Sequence, residues 1–438
     1  MSVAGGRRAV ALLTLLVTVA GCAGAGGGTA SPQPDGPSGP PSTVSASSTG
    51  SAPSAVSTPP TAGASMTPNP TSAASISPPA PTATSTSPAP PETTSSPRVR
   101  RLLAQLTLAD KVRQLLIVDF SGTSVPTAMI RRVRPGGVIY FADNLVDGAQ
   151  TARLSARLQR ASSRAGLPLL VSADQEGGTV TRLPTSASQV PGGAAFNGDA
   201  RWARRVAVRS ASAMLRLGVN LDFAPVADVN TVGDAGVIGD RSFGSKPEQV
   251  SRLVRAQVCG YHDGGVAATA KHFPGHGSTR VDSHVELPVL AVTRRQWRRV
   301  DLPPFQQAID AGVDAVMVGH LAFPALDRTG RPASLSRPMV TGWLRQRLGY
   351  DGLVVTDSLA MGAVASRGSS ADVAVQVLSA GVDVLLMPPD PDAVVRGVLH
   401  AVRNGRLSPA RIDQSVERVL SVKDRLGLLG AHRRLAQC

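Results

Sequence analysis

Short apolar runs alternate with segments of helical periodicity from residue 115 to residue 387, and this alternation limits the folds open to the chain. Eight runs are rich in Val, Leu and Ala without strict alternation, as expected of strands buried on both faces. They are Leu115–Phe120, Gly137–Phe141, Leu169–Ala173, Asn220–Val226, Val266–Ala270, Ala315–Val318, Leu353–Thr356 and Val382–Met387. The clearest helical segments between them are Asp199–Leu217, Pro247–His262, Arg294–Ala311 and Ala371–Ala380.

Eight repeats of a strand followed by a helix predict a single (β/α)8 TIM barrel, an α/β fold that commonly occupies 200 to more than 400 residues. The alternative is a doubly wound open sheet. No GxGxxG sequence follows the first run, so the sequence favours the barrel.

The first residues of the chain have the pattern of an export signal. Arg7 and Arg8 precede the apolar run Ala9–Ala20, which is too short to span a membrane. The sequence Val19-Ala-Gly-Cys22 then resembles a bacterial lipobox. We predict a signal peptide over residues 1–21 and lipidation of Cys22, which would hold the protein on the extracytoplasmic face of the cell membrane, with some of it secreted.

Residues 22–97 are rich in Ser, Thr, Pro, Ala and Gly and contain almost no large apolar side chain. Such a segment cannot bury enough surface to offset its conformational entropy, so we predict a disordered linker. The folded barrel domain is then predicted to be residues 98–438.

The net charge of the chain is +15, and only four of its 45 basic residues are lysine. A basic chain can bind nucleic acid, but no Lys/Arg-rich run with interleaved aromatic residues occurs here, so nucleic acid is not an expected partner. On an exported protein the charge more plausibly favours anionic envelope polymers. Of the three cysteines, Cys259 and Cys438 could form one disulfide, and no Cys/His spacing predicts a metal site. We expect a monomer without a cofactor.

Charged and imidazole side chains cluster just after the predicted strands. In a barrel the carboxyl ends of the strands converge on one face, where barrel active sites lie. Asp and Ser at these junctions also commonly cap helices, and for Glu176, Asp228 and Ser358 that interpretation remains open. The candidate site residues are Asp174, Arg182, Arg241, Lys271, His272, Asp282, His284 and Asp357.

These side chains fit the chemistry of a retaining glycosidase. Asp357 is a short carboxylate at a strand end, and such a group can attack an electrophilic carbon to form a covalent ester. His284 can move protons near neutral pH, and Asp282 could hydrogen-bond its ring. A nucleophile and an acid/base from different loops would then flank the scissile bond, with a His–Asp pair replacing the usual second carboxylate.

Five motifs of the chain resemble those of family 3 glycoside hydrolases, in the same order and spacing, from about residue 98 to residue 428. The motifs are Asp174-Gln-Glu-Gly-Gly178, Arg241-Ser-Phe-Gly244, Lys271-His-Phe-Pro-Gly-His-Gly277, Asp282-Ser-His284 and Thr356-Asp-Ser-Leu359. The stretch from Lys271 to His284 is the most specific of them. One departure is visible: Thr179 stands where family members often carry Arg, whereas Arg182 is kept.

The likeness to the bacterial β-N-acetylglucosaminidase branch implies retaining hydrolysis of terminal β-linked N-acetylglucosamine without a metal. It implies Asp357 as the nucleophile, and His284 assisted by Asp282 as the acid/base. It also implies that five residues hold the sugar, namely Asp174, Arg182, Arg241, Lys271 and His272. The chain ends soon after the eighth run, so no second sandwich domain is expected.

A lipid-anchored enzyme of this kind would act on cell-wall fragments, releasing N-acetylglucosamine from species that contain it linked to N-acetylmuramic acid. Three alternatives remain open. The chain could be a β-glucosidase or a phosphorylase of the same family, since a His acid/base repels phosphate less than a carboxylate would. It could be a sugar-binding lipoprotein without catalysis. A lyase that forms a Schiff base through Lys271 would need that amine desolvated.

Overall fold

The computed structural model describes residues 95–184, 189–430 and 432–438. Eight strands run parallel in one sheet whose order follows the chain, with the first strand also paired to the eighth. They are β1 (Leu116–Val118), β2 (Gly137–Tyr140), β3 (Leu170–Ala173), β4 (Leu221–Asp222), β5 (Ala267–Phe273), β6 (Ala315–Val318), β7 (Leu353–Thr356) and β8 (Leu385–Leu386).

The sheet closes through a single bridge between Val355 and Val384, just before β8. The two segments also share backbone hydrogen bonds, including Thr356 N–H to the Val384 carbonyl at 3.0 Å. All eight strands are buried, as their apolar sequences require. The predicted (β/α)8 barrel is therefore confirmed.

Only β6 and β7 have the predicted bounds, and β1, β2, β3 and β8 are shorter than their predicted runs. The differences in β4 and β5 bear on the candidate site. Strand β4 has two residues, whereas the apolar run continues to Val226, because Pro225 has no N–H to donate to a strand ladder. Strand β5 extends beyond Ala270 to Phe273 and so includes Lys271 and His272. These two polar side chains are therefore held by sheet backbone and do not start the loop.

Twelve α-helices surround the barrel in the described part of the chain. They are α1 (Pro97–Gln105), α2 (Leu108–Gln114), α3 (Thr127–Val133), α4 (Gly148–Ala165), α5 (Ala200–Arg216), α6 (Pro247–Asp263), α7 (Arg294–Val300), α8 (Leu302–Asp310), α9 (Gly362–Ala365), α10 (Ser370–Ala380), α11 (Pro391–Arg403) and α12 (Pro409–Arg425). A π-helical segment, Pro338–Arg347, precedes β7.

One helix prediction was wrong. The segment Arg294–Ala311 was expected to form a single helix, but it forms α7 and α8, which meet at Asp301. Pro303 and Pro304 lie in the first turn of α8, where their missing N–H groups cost nothing, whereas inside a continuous helix they would remove hydrogen bonds.

The weak pairing between β7 and β8 is reinforced by the buried carboxylate of Asp383. Its Oδ2 accepts from the Val354 backbone N–H at 3.0 Å and from Arg345 at 2.5 Å, and its Oδ1 accepts from Arg411 at 3.1 Å and Arg418 at 3.3 Å. Burial opposes its ionisation, but the arginine charges outweigh this and lower the pKa of Asp383 to about 2. A carboxylate thus joins β7, the π-helical segment and α12 at the end of the barrel opposite the candidate site.

Both ends of the described domain are tied to its body. Ser96 caps α1 and its hydroxyl donates to Asp424 of α12 at 2.9 Å. Cys259 of α6 forms a disulfide with Cys438, which sequence reasoning had left open. No helix within the described residues is both long and apolar enough to cross a membrane. The predicted signal peptide, Cys22 and most of the predicted linker lie outside the described residues.

Candidate active site

Four of the predicted site residues lie at the carboxyl end of the barrel. Asp174 directly follows β3, Lys271 and His272 lie near the end of β5, and Asp357 directly follows β7. These are alternate strands, which point side chains into the barrel mouth from three sides. The prediction that Asp174, His272 and Asp357 share one face is confirmed.

Four charged residues form a connected cradle at this mouth. Lys271 Nζ lies 2.5 Å from Asp174 Oδ1 and 2.5 Å from Glu176 Oε1. Arg241, from the loop after β4, binds Glu176 bidentately, with Nε to Oε2 at 2.7 Å and an Nη to Oε1 at 2.8 Å. Two cations and two anions thus hold each other in fixed positions, with Asp174 and Arg241 partly exposed toward the mouth.

The cradle stays ionised although it is largely buried. Burial opposes the charge on Glu176, but Lys271 and Arg241 outweigh it and lower the pKa of Glu176 to about 2. Burial likewise disfavours the Lys271 ammonium, but Asp174 and Glu176 raise its pKa above the ordinary value. Fixed charges in a poorly hydrated site bind hydroxyl groups more strongly than they would in water.

Glu176 was missed by the sequence reasoning, which left it as a possible helix cap. No helix in the described residues is capped by it, and its two partners come from 65 and 95 residues further along the chain. The available signal was its position two residues after Asp174, at a strand end with two cations predicted nearby.

Arg182 lies at the side of the mouth, after β3. Its guanidinium carbon is 5.9 Å from the centroid of the Phe141 ring, in the loop after β2. Its backbone N–H donates to Gln175 Oε1 at 2.9 Å, and its buried Nε has no hydrogen-bond partner among the described residues. The guanidinium is therefore positioned and keeps donor capacity for a ligand.

Asp228 fixes His272 from behind. Asp228 Oδ2 lies 2.7 Å from His272 Nδ1, and Oδ1 accepts from the backbone N–H groups of His272 at 3.2 Å and His276 at 2.7 Å. An ionised carboxylate only accepts, so Nδ1 carries the hydrogen and Nε2 is the ring nitrogen left for a ligand. Asp228 is thus a positioning residue and not the helix cap that the sequence left open.

The Asp357 carboxylate is held by the loop that follows it. The Ser358 backbone N–H donates to Asp357 Oδ1 at 2.8 Å, so Ser358 acts through its backbone. Burial opposes ionisation, but the nearby His272 and His320 rings and this hydrogen bond outweigh it and lower the pKa of Asp357 below its usual value. An anionic, fixed carboxylate is the state in which Asp357 could act as a nucleophile.

His320 supports the same loop from inside the barrel. Its Nε2 donates to the Ser358 carbonyl at 3.0 Å, and its Nδ1 shares a hydrogen bond with the Ser334 hydroxyl at 2.7 Å. Burial lowers the pKa of His320, and both of its ring nitrogens are engaged. His320 therefore holds Ser358, and with it the Asp357 backbone.

Asp282 and His284 form the expected pair on the loop after β5. Asp282 Oδ1 accepts from the His284 backbone N–H at 2.9 Å and lies 2.8 Å from His284 Nδ1. The His284 side chain is 71% exposed, so Nε2 faces solvent. The His284 carbonyl accepts from the Gly362 N–H at 2.9 Å, which ties this loop to the segment after Asp357.

Among the described residues, no group of three or more His, Cys, Asp or Glu side chains has the arrangement of a metal site. The barrel mouth holds several reactive and polar side chains. It offers an anionic carboxylate, an exposed imidazole paired to a carboxylate, and a charged cradle suited to several hydroxyl groups.

Comparison with known proteins shows the family of the chain. The profile for the glycosyl hydrolase family 3 N terminal domain matches residues 107–422. A Beta-hexosaminidase A of Pseudoalteromonas piscicida is 35% identical over 73% of this chain and 62% of its own length. A Beta-hexosaminidase of Thiobacillus denitrificans is 37% identical over 63% of this chain and 79% of its own.

Among solved structures, the family 3 β-N-acetylglucosaminidase of Paenibacillus sp. str. FPU-7 superposes with a TM-score of 0.72 at 44% identity. The match covers 74% of this chain and 63% of that protein. The chain therefore spans less than two thirds of the lengths of the Pseudoalteromonas and Paenibacillus proteins.

Proposed function

Because the chain belongs to glycosyl hydrolase family 3, we propose that it is a retaining exo-β-N-acetylglucosaminidase. It would hydrolyse terminal β-linked N-acetylglucosamine, the class of sugar named for its Paenibacillus relative. The single observation that carries this proposal is the anionic Asp357 at the same barrel mouth as the Lys271 cradle, with the Asp282–His284 pair on an adjoining loop.

The first step of the proposed reaction forms a covalent glycosyl ester. An Asp357 oxygen attacks the anomeric carbon while the bond from that carbon to the glycosidic oxygen breaks. His284 Nε2 gives its proton to the departing oxygen, and Asp282 accepts the Nδ1 hydrogen and stabilises the ring throughout. Asp174, Arg182, Arg241, Lys271 and His272 hold the sugar hydroxyl groups in this step.

The second step releases the sugar. His284, now without its Nε2 proton, accepts a proton from water as the water oxygen attacks the anomeric carbon. The bond to the Asp357 oxygen breaks, and the carboxylate is restored. Two displacements at the same carbon retain the β configuration.

The test of the nucleophile is trapping with a 5-fluoro analogue of N-acetylglucosamine, which keeps the acetamido group at C2 and whose intermediate should break down slowly. We expect a mass increase on the peptide that contains Asp357, and no turnover by Asp357→Ala with its unfolding transition unchanged. Labelling of Asp228 or Glu176 instead would remove Asp357 from the role. The assay should compare aryl β-glycosides of N-acetylglucosamine, its 6-sulfate and glucose.

Phosphorolysis is the second candidate reaction. Its support is that a histidine, and not a carboxylate, occupies the acid/base position, since a carboxylate would repel an incoming phosphate. The assay above should be run with and without inorganic phosphate. Formation of the sugar 1-phosphate would favour a phosphorylase, and free sugar in both conditions a hydrolase.

We further propose that cell-wall fragments containing N-acetylglucosamine linked to N-acetylmuramic acid are the natural substrate, and that Cys22 anchors the enzyme at the membrane surface. The support is the lipobox-like Val19-Ala-Gly-Cys22 and the Ser/Thr/Pro-rich stretch that follows. The parent protein should enter the detergent phase and Cys22→Ala should not. Equal partitioning of both would refute the anchor.

A further inference from the structure

A cleft of about 850 Å³ on the outer wall of the barrel is lined by five arginines. It lies between α3 and α4, which follow β1 and β2, and none of its lining residues belongs to the candidate active site. The other lining residues are small or uncharged. The arginines are Arg131, Arg134, Arg157, Arg160 and Arg164.

Three of these arginines form one row on α4. The intervals from Arg157 to Arg160 and to Arg164 are three and four residues, so the side chains lie on one face of the helix. At ~1.5 Å per residue the row is about 10 Å long. Arg131 of α3 contributes a fourth cation from the other wall of the cleft.

Most of this charge is not neutralised by the protein. Helix α4 contains no Asp or Glu in its 18 residues. Of the five arginines only Arg134 has an ion pair in the described part of the chain, to Asp110. Arg131, Arg157, Arg160 and Arg164 are exposed and make no ion pair or side-chain hydrogen bond there. Like charges at these intervals destabilise a helix, so the row has a cost unless an anion neutralises it.

We propose that this cleft, here called the arginine cleft, binds a linear polymer of the cell envelope whose regularly repeated anion is phosphate. A row of cations along one wall matches a chain of regularly repeated anions better than a single small anion. A guanidinium binds two oxygens of one phosphate at once, which an ammonium does not. The groove is concave, and a concave surface fits a chain better than it fits the flat surface of a bilayer.

The position of the cleft on the outer wall leaves the barrel mouth free. The full-length protein could therefore hold a phosphate-bearing polymer of the envelope while hydrolysing a separate glycan, an arrangement that rests on the proposed function. In such an arrangement the cleft would contribute to where the enzyme works and not to the bond it breaks.

The experiment measures binding of the full-length protein to long-chain inorganic polyphosphate by fluorescence anisotropy over a series of salt concentrations. The variant Arg157→Gln/Arg160→Gln/Arg164→Gln removes the row on α4. The matched control Arg201→Gln/Arg205→Gln/Arg209→Gln removes three exposed arginines from one face of α5, none of which lines the cleft. Both variants lose the same net charge.

We expect the α4 variant to bind polyphosphate at least about tenfold more weakly. Its binding should also depend less steeply on salt, because fewer arginine contacts release fewer counterions from the polymer. The α5 control should lose less than about threefold, which is the part due to net charge alone. Hydrolysis of an aryl glycoside should be unchanged in both variants, which separates the cleft from the active site.

Three results would overturn the proposal. The first is equal weakening by the α4 and α5 variants, which would assign the binding to net charge. The second is equally tight binding of polyglutamate, which would remove the preference for phosphate. The third is binding to phosphatidylglycerol vesicles but not to polyphosphate, measured with Cys22→Ala so that no lipid anchor contributes, which would assign the surface to the membrane.

Discussion

Replacing Glu176 by Gln tests whether the charged cradle is both a structural and a functional unit. The change keeps the size of the side chain but removes the anion between Lys271 and Arg241. The pKa of Glu176 falls from 4.5 to about 2 in the folded protein. At ~1.4 kcal/mol per unit, this difference corresponds to about 3 kcal/mol of stability at neutral pH.

The pH dependence follows from the direction of that shift. A carboxyl group whose pKa is lower in the folded state stabilises the protein fully above the unfolded value and loses this contribution as pH falls toward the folded value. The parent should therefore lose about 3 kcal/mol from this residue between pH 4.5 and pH 2. The Gln variant has no carboxyl group to titrate at this position and cannot lose this contribution. The difference in free energy of unfolding between the two proteins should therefore shrink over the same pH interval.

Urea denaturation followed by circular dichroism at pH 7 and at steps down to pH 2 measures this change in the free energy of unfolding. Glu286→Gln, an exposed glutamate without an ion pair in the described part of the chain, is the control and should change stability by less than about 0.5 kcal/mol. We also expect kcat/KM of Glu176→Gln on an aryl glycoside to fall about 10- to 100-fold, since Lys271 and Arg241 lose a charge-assisted partner. A loss of stability below about 1 kcal/mol with unchanged kinetics would refute the reasoning.

Three further changes probe other parts of the molecule. Asp383→Asn should lower the free energy of unfolding by about 2 kcal/mol or more at pH 7, and equal urea midpoints would contradict this. Its KM should be unchanged, because Asp383 lies at the end of the barrel opposite the candidate site. His284→Ala should lose least on aryl glycosides with good leaving groups and gain from added azide, whereas a uniform loss without rescue would exclude it as the acid/base. Asp228→Asn should reverse the donor and acceptor at His272 Nδ1, and so raise KM about tenfold with little change in urea midpoint. An unchanged KM would leave Asp228 with a packing role only.

Much of the architecture follows from local sequence. Strands of a parallel barrel are covered on both faces, so each appears as a continuous apolar run, and the eight runs were found with their order intact. The lengths of β4 and β5 were not predicted, because Pro225 shortens β4 and the pairing with β6 extends β5 to Phe273. The division of α7 from α8 could have been read from Pro303 and Pro304.

The contacts of the candidate site that could be anticipated from the sequence are the local ones. Asp282 and His284 are two residues apart, so a single turn of the backbone brings the Asp282 carboxylate to the His284 ring. Asp357 and Asp174 stand at strand ends, where the barrel geometry alone brings them to the mouth.

Contacts between distant parts of the chain were decided only by the tertiary structure. The sequence position of Glu176 is compatible with a helix cap. The fold makes it an ion-pair partner, because Lys271 reaches it from β5 and Arg241 reaches it from the loop after β4. Asp228 lies 44 residues before His272, and no local pattern relates them. The sequence shows which residue types are available at each position. An ionised buried carboxylate, however, requires partners at about 3 Å, and only the closed barrel sets those distances.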